Sequence, residues 1–307
     1  MPYQRVTCIG IGNMGAALAS TLLKAKSPLT IWNRTANRPQ IASLVESGAE
    51  FEGNIESAIA KSDDVVILCV LDYDAIYHAF APLDSSPTSL AGKTVVNLTN
   101  GTPREARKAE EWMKAHGAAR YFDGGVMVTP QLVGTPHSFV VYSGESEDGF
   151  SGVSKLLAPL GAAQYVGPDA GAAAIQDLAA LAAMYGMFCG AFTGMGLLKK
   201  QMRQAGGEGE EETKVLPAVE KVVVPLLTAL VPYVSLLAKS IDEETWDDNM
   251  GNPLGMQLAG VKNIIRACEE EGVDGKGLEF LSSVMQKVVD ERGGDGGVAV
   301  VGKYLLK

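Results

Sequence analysis

A chain of 307 residues, 47% of them hydrophobic, holds enough apolar material for two domains that each bury a core. Its formal net charge of −10 excludes nucleic acid as a partner, because phosphate-backbone binding needs clustered Lys and Arg. Cys8, Cys69, Cys189 and Cys268 are far apart, with no CxxC or Cys/His grouping. Neither a disulfide framework nor a metal site is expected, and buried reduced thiols in a cytoplasmic protein are. Met1–Gln4 lead directly into an apolar run, so no secretory leader is expected.

The first β-rich run, Arg5 to Ile9, opens into Gly10-Ile11-Gly12-Asn13-Met14-Gly15, and a helical pattern follows over Met14 to Ala25. GxGxxG between a strand and a helix is the dinucleotide fingerprint. The first glycine makes the turn, the second admits the pyrophosphate to the backbone, and the third lets the helix pack on the sheet. Asn13 and Met14 begin the helix, whose amides then face the phosphates.

A second strand, Leu29 to Trp32, ends in Asn33-Arg34-Thr35, with Arg38 shortly after. An NAD enzyme usually carries an acid here for the ribose hydroxyls. Without one, Arg34 and Arg38 are placed to pair with a 2′-phosphate and Thr35 to donate to it, which favours NADP(H) over NAD or a flavin. The competing reading is two arginines on an ordinary surface turn.

Helical patterns at Arg38 to Ser47 and Ile55 to Ala60 precede a strand at Asp64 to Val70 and another at Thr94 to Asn97. Val70, Leu71 and Asn97 to Asn100 follow these strands at their carboxyl ends, where open α/β sheets bind ligands, and are expected along the nicotinamide half. Thr102-Pro103-Arg104-Glu105 starts a helix to Ala115 with a capping box and Pro at its first position. Strands at Arg120 to Phe122 and Ser138 to Tyr142 complete an alternating pattern that implies a mostly parallel sheet.

After Gly161 the β-like runs nearly vanish, and Gly171 to Glu291 reads as helices broken at Gly206-Gly207, Asp242 to Pro253 and Gly272 to Gly277. The fold class is therefore an α/β Rossmann domain, then a long interdomain helix and an all-α carboxy-terminal domain, with boundaries 1–167 and 168–307. The acidic run Glu208 to Glu212 reads as a solvated turn. Leu178 to Leu198 is 21 residues without a charge, long enough to span a bilayer. Yet it appears once inside a soluble pattern, and its Gly186, Gly190, Gly194 and Gly196 suit close helix packing. A buried helix of a dimer is expected, not a membrane partner.

Taken together, the Rossmann half, the interdomain helix and the helical half resemble the β-hydroxyacid dehydrogenases and their relatives the imine reductases, over nearly all of the chain. Hydroxyacid members carry a catalytic Lys after a glycine-rich helix entry. Here the segment reads Gly171-Ala172-Ala173-Ala174-Ile175-Gln176-Asp177, which puts Asp177 in the place of that Lys. Ketone reduction builds negative charge on oxygen, whereas imine reduction starts from a cationic iminium. A carboxylate suits the second and opposes the first.

The segments Leu178 to Gly186, Asn33 to Thr35, Asn97 to Pro103 and Gly255 to Val261 are similar to fungal reductive aminases. That resemblance implies Asp177 and Tyr185 as the central polar pair and Asn100 as a further amine- or substrate-positioning group. It also implies a pocket lined by Tyr233, Met256 and Gln257, with helical domains exchanged across a homodimer. Leu226 stands where such an enzyme carries Trp. Read singly, Leu226 and Met256 fit plain core positions, an Asp near a helix start fits a cap, and Tyr185 fits a core tyrosine.

The expected activity is NADPH-dependent reduction of cyclic imines, or of iminium ions formed from a carbonyl compound and an amine. A β-hydroxyacid dehydrogenase or aldehyde reductase and a non-catalytic NADPH sensor are the rivals. His78, His116 and His137 show no spacing to a nucleophile, and Trp246 is a pocket wall or an interface anchor.

Overall fold

The computed structural model describes residues 4–85, 88–204 and 214–305. The Gly206-Gly207 break and the acidic run Glu208 to Glu212 lie outside them. Contacts divide the chain into two compact units, Met1–Ala182 and Ala183–Lys307.

The first unit alternates β1 (Val6–Ile9), α1 (Asn13–Lys24), β2 (Leu29–Trp32), α2 (Pro39–Glu46), β3 (Glu50–Phe51), α3 (Ile55–Lys61), β4 (Val65–Leu68) and α4 (Tyr73–Phe80). It continues through β5 (Thr94–Asn97), α5 (Pro103–Ala115), β6 (Arg120–Val126), β7 (Phe139–Ser143), α6 (Glu147–Leu157) and β8 (Ala162–Tyr165) to the start of α7 (Gly171–Gln204). The strands form one sheet in the order β3-β2-β1-β4-β5-β6-β7-β8. β6 and β7 pair antiparallel and the other neighbours pair parallel.

β1, β2, β4 and β5 are buried at every residue because helices cover both sheet faces, and strands buried on both faces read as continuous apolar runs. Successive side chains go to opposite faces. Ile31, Ile67, Val96 and Phe122 enter one core and Val66, Leu68, Val95 and Tyr121 the other. The strand order reverses between β1 and β4, and a crevice opens at their carboxyl ends.

The capping box starting α5 is present: Thr102 Oγ1 accepts from the Glu105 amide at 3.3 Å, and Glu105 Oε2 accepts from the Thr102 amide at 2.8 Å. Several elements go beyond the sequence pattern. β3 has only two residues, and α4 has eight, capped by Asp72, too short for a periodicity to show. α6 is capped by Ser146, and β6 runs on through Asp123-Gly124-Gly125, residues of low strand propensity. The expected loss of strands after Gly161 is corrected by β8, an edge strand of largely exposed Ala162-Ala163-Gln164 whose lack of apolar alternation hides it.

The second unit contains the remainder of α7, α8 (Leu216–Ala218), a π turn at Val219–Val223, α9 (Val224–Asp242), α10 (Leu254–Glu271), α11 (Lys276–Arg292) and α12 (Val300–Leu305). Its core gathers Leu254, Leu258, Met285, Val288, Val300 and Val301. Trp246 packs partly buried against this core, with the Lys303 ammonium 5.6 Å over its ring. Among the described residues two helical stretches, Gly171–Arg203 and Leu216–Asp242, are long and apolar enough to cross a membrane; only one was legible as such. Both bury few of their apolar side chains in the single chain, and Phe192, Val231 and Val234 are exposed.

Candidate functional site

The crevice beside β1 is a cleft of about 380 Å³ lined by Gly10, Gly12, Asn13, Met14, Gly15, Asn33, Arg34, Thr35, Arg38, Val70 and Leu71. The backbone dictates its glycines. Gly10 has φ of +94°, and a Cβ there would collide with the Cys69 carbonyl, while a Cβ on Gly15 would collide with the Gly10 carbonyl. Gly12 faces open space and caps α1 with no side chain on the helix amides, so the positive end of the helix dipole stays available to an anion.

Asn33 ties the two halves of this cleft together: its Oδ1 accepts from the Ile11 amide at 2.8 Å and its Nδ2 donates to the Thr35 carbonyl at 2.8 Å. The Arg34–Thr35 turn is thereby anchored to the glycine loop. Arg34 and Arg38 are exposed, and among the described residues neither guanidinium is taken by an ion pair. The group these residues fit is a dinucleotide with an added phosphate at its adenosine end. Gln40 donates to Asn13 Oδ1 at 3.1 Å, and Trp32, Cys69, Ala75 and Ala79 complete the lining. These carry no charge or motif that marks them in the sequence.

Asn97 does not line the cleft. It is fully buried, and its Nδ2 donates to Tyr121 and Asp123 at 3.0 Å each. Its Oδ1 accepts from the Thr99 amide at 3.1 Å, and Thr99 Oγ1 accepts from the Val70 amide at 3.2 Å.

Asp177 lies in the second turn of α7, and its Oδ2 accepts from Asn100 Nδ2 at 2.8 Å. It is partly exposed and caps no helix. Gly125 of β6 makes the approach possible, since a Cβ there would stand 2.9 Å from Asp177 Cβ and Cγ. The entry to α7 is bolted to the sheet. Arg107 grips Asp169 with Nε at 2.8 Å and Nη2 at 2.6 Å, and this pairing holds the Asp169 carboxyl down to about 2. Ser143, ending β7, donates to the Ala170 carbonyl and accepts from the Ala173 amide, both at 2.9 Å.

Beneath this pair is a cluster unmarked by any sequence motif. Asp123 is 1% exposed, and its Oδ2 accepts from Tyr73 at 2.6 Å, Tyr121 at 2.9 Å and Asn97 at 3.0 Å.

In the second unit, Tyr185 of α7 is 62% exposed and meets Phe188 edge to face at 6.1 Å. Tyr233 and Leu226 lie on α9, and Met256 and Gln257 on the first turn of α10, where Gln257 Nε2 donates to the Asn252 carbonyl at 2.8 Å. The core alternative for Tyr185, Leu226 and Met256 is corrected: Leu226 is 57% and Met256 62% exposed, because neither α9 nor the start of α10 turns these positions inward. Cys8, Cys69 and Cys268 are buried thiols, but Cys189 is exposed on α7. His116 stacks on Trp112 at 3.7 Å, a structural placement.

Residues 5–167 match the NAD binding domain of 6-phosphogluconate dehydrogenase, and residues 169–307 match the NADPH-dependent reductive aminase-like C-terminal domain. The NADPH-dependent reductive aminase of Aspergillus oryzae is 37% identical over 294 residues, covering 96% of this chain and 94% of that protein. The reductive aminase of Aspergillus terreus, solved with NADPH4, cyclohexanone and allyl amine, superposes with a TM-score of 0.87 at 36% identity, covering 98% of this chain and 99% of that one. An imine reductase of Aspergillus terreus solved with NADPH4 and dibenz[c,e]azepine gives 0.83 at 37% identity, with 99% and 100% covered.

Proposed function

The chain belongs to the NADPH-dependent reductive aminase family, as an NADP(H)-dependent oxidoreductase acting on C=N bonds, and we propose that Asp177, Asn100 and Tyr185 carry its chemistry. With that membership the hydroxyacid dehydrogenase and NADPH-sensor readings fall away. The observation that supports the residue assignment is the 2.8 Å hydrogen bond from Asn100 to Asp177 beside Gly125, a carboxylate where carbonyl reduction calls for a cation.

The amides opening α1 and the glycine loop hold the pyrophosphate, while Arg34, Arg38 and Thr35 hold the 2′-phosphate. Val70 and Leu71 border the nicotinamide half, and Asn97 serves it indirectly by fixing Thr99 and hence the Val70 amide. NADPH, when bound, supplies the hydride delivered to the C=N carbon. Asn100 occupies one lone pair of Asp177 Oδ2 and fixes the carboxylate, whose remaining lone pairs face the cationic nitrogen of an iminium. Asp177 thus stabilises the cation, orients the amine and moves its proton. Tyr185 adds a hydroxyl donor.

The reading extends to a cytoplasmic homodimer with exchanged helical domains, in which residues 1–167 bind NADP(H) and 168–307 form the pocket and interface. The support is apolar surface that needs a cover. α7 and α9 border an open groove of about 710 Å³ lined by Phe188, Phe192, Leu227 and Val231, and contiguous exposed apolar surface of this kind marks an interaction site. Tyr233, Met256, Gln257 and Leu226 then line a pocket that the partner's Asp177 faces. Leu226, smaller than Trp, leaves room for bulkier substrates.

Following NADPH oxidation with cyclohexanone, with and without a small primary amine, and with a preformed cyclic imine tests the activity. Turnover that requires the amine or the imine is expected. Equal turnover of the carbonyl compound alone would overturn the reading.

A further inference from the structure

We propose that Asp123 is a positioning residue for C=N reduction, setting the Asn100–Asp177 pair from beneath. The proposal rests on Asp177 and Asn100 as the catalytic pair. Three elements converge on one carboxylate oxygen, with Tyr73 from α4, Asn97 from the end of β5, and Tyr121 from β6 itself, at 2.6, 3.0 and 2.9 Å. Asn97 is held twice, since its other end takes the Thr99 amide. The segment it fixes is Leu98-Thr99-Asn100, the segment whose last side chain donates to Asp177.

On the other side, Asp123 is in register with Ser143 of β7, whose hydroxyl pins the first turn of α7. Two residues along β6, Gly125 abuts the Asp177 side chain. One buried carboxyl therefore sits at the root of both supports of the pair, the loop that holds Asn100 and the strand against which Asp177 rests. A shift of about 1 Å in such supports is enough to cost a site much of its rate.

Burial holds the Asp123 carboxyl up at about 7; the hydrogen bonds from Tyr73, Tyr121 and Asn97 oppose that shift, and the nearby Asp177 adds to it. The groups facing it are Tyr73 of α4, with Glu105 of α5 acting on that phenol, Tyr121 of its own strand and Asp177 of α7. Below about pH 7 Asp123 is neutral and adds no charge beside Asp177. Above it a second negative charge opposes Asp177 across Gly125, in an interior where such repulsion is weakly screened. With a preformed cyclic imine, kcat changes as pH rises through this window.

Asp123→Asn keeps an acceptor for all three donors and cannot ionise. It is expected to abolish the infrared carboxylic-acid titration near pH 7 and to hold kcat at its low-pH level through pH 8, with KM for NADPH within about twofold of wild type. Tyr73→Phe removes one donor to the anion, so both the infrared titration and the kcat inflection move to higher pH. Asp177→Asn removes the neighbouring charge and moves the infrared titration to lower pH, a readout that needs no turnover. A folded Asp123→Asn protein that keeps the wild-type inflection, or a Tyr73→Phe protein whose titration does not move, overturns the proposal. An infrared titration unmoved by Asp177→Asn overturns the repulsion across Gly125. Amine-dependent turnover surviving Asp177→Asn overturns instead the assignment of Asp177, and leaves the Asp123 titration measurable on its own.

Discussion

Arg34 and Arg38 stand at the mouth of the dinucleotide cleft without ion-pair partners among the described residues, on a turn that Asn33 fastens to the glycine loop. A guanidinium that is pre-positioned and unpaired gives its full charge-assisted bonds to a phosphate. Arg34→Ala is expected to raise KM for NADPH by about tenfold or more and to leave KM for NADH nearly unchanged; a steady-state comparison of the two cofactors checks this, and equal effects on both contradict it. These arginines were legible because their meaning depends on position, after a strand and in place of an acid. Asp177 stood out through the Lys that the family resemblance puts in its place. Asp123 was not legible: Tyr73, Asn97 and Tyr121 lie up to 50 residues from it in the chain, and only the β5–β6 register together with the placement of α4 brings their polar atoms to one oxygen. Asn97, expected along the nicotinamide, turns its amide into that cluster instead.

The helices α7 and α9 set the problem at the next scale. α7 rises about 50 Å at 1.5 Å per residue, yet its middle presents Tyr185, Met187, Phe188 and Phe192 to solvent, and α9 presents Leu230, Val231 and Val234. Such surfaces are covered in a stable assembly. Val231→Glu, at a position 67% exposed, is expected to shift the protein from dimer to monomer in analytical ultracentrifugation while NADPH affinity is retained; a wild-type chain that sediments as a monomer at micromolar concentration contradicts the dimer. The sequence announced α7 through its uncharged run and α5 through its capping box, signals carried by consecutive residues. It hid α4, whose eight residues give periodicity too little length, and β8, whose Ala-Ala-Gln edge has no alternation to read.

At the scale of the molecule, the two units have separate cores, one sandwiching a sheet between helices and one made of helix on helix. The division of labour follows from that construction. A doubly covered sheet supplies a rigid crevice for a nucleotide, while the all-helical unit presents the exposed apolar faces on which the proposed pocket and dimer rest. Asp177, in the second turn of α7, is held by Asn100 and given room by Gly125, and the proposed chemistry centres on it.

The measurement closest to that claim is single-turnover reduction of a preformed cyclic imine by NADPH-loaded Asp177→Asn, beside wild type. A rate lowered about 100-fold or more is expected, the usual scale for losing a positioned proton-transferring group, with NADPH affinity within about twofold. A variant that reduces the imine at the wild-type rate would contradict the claim.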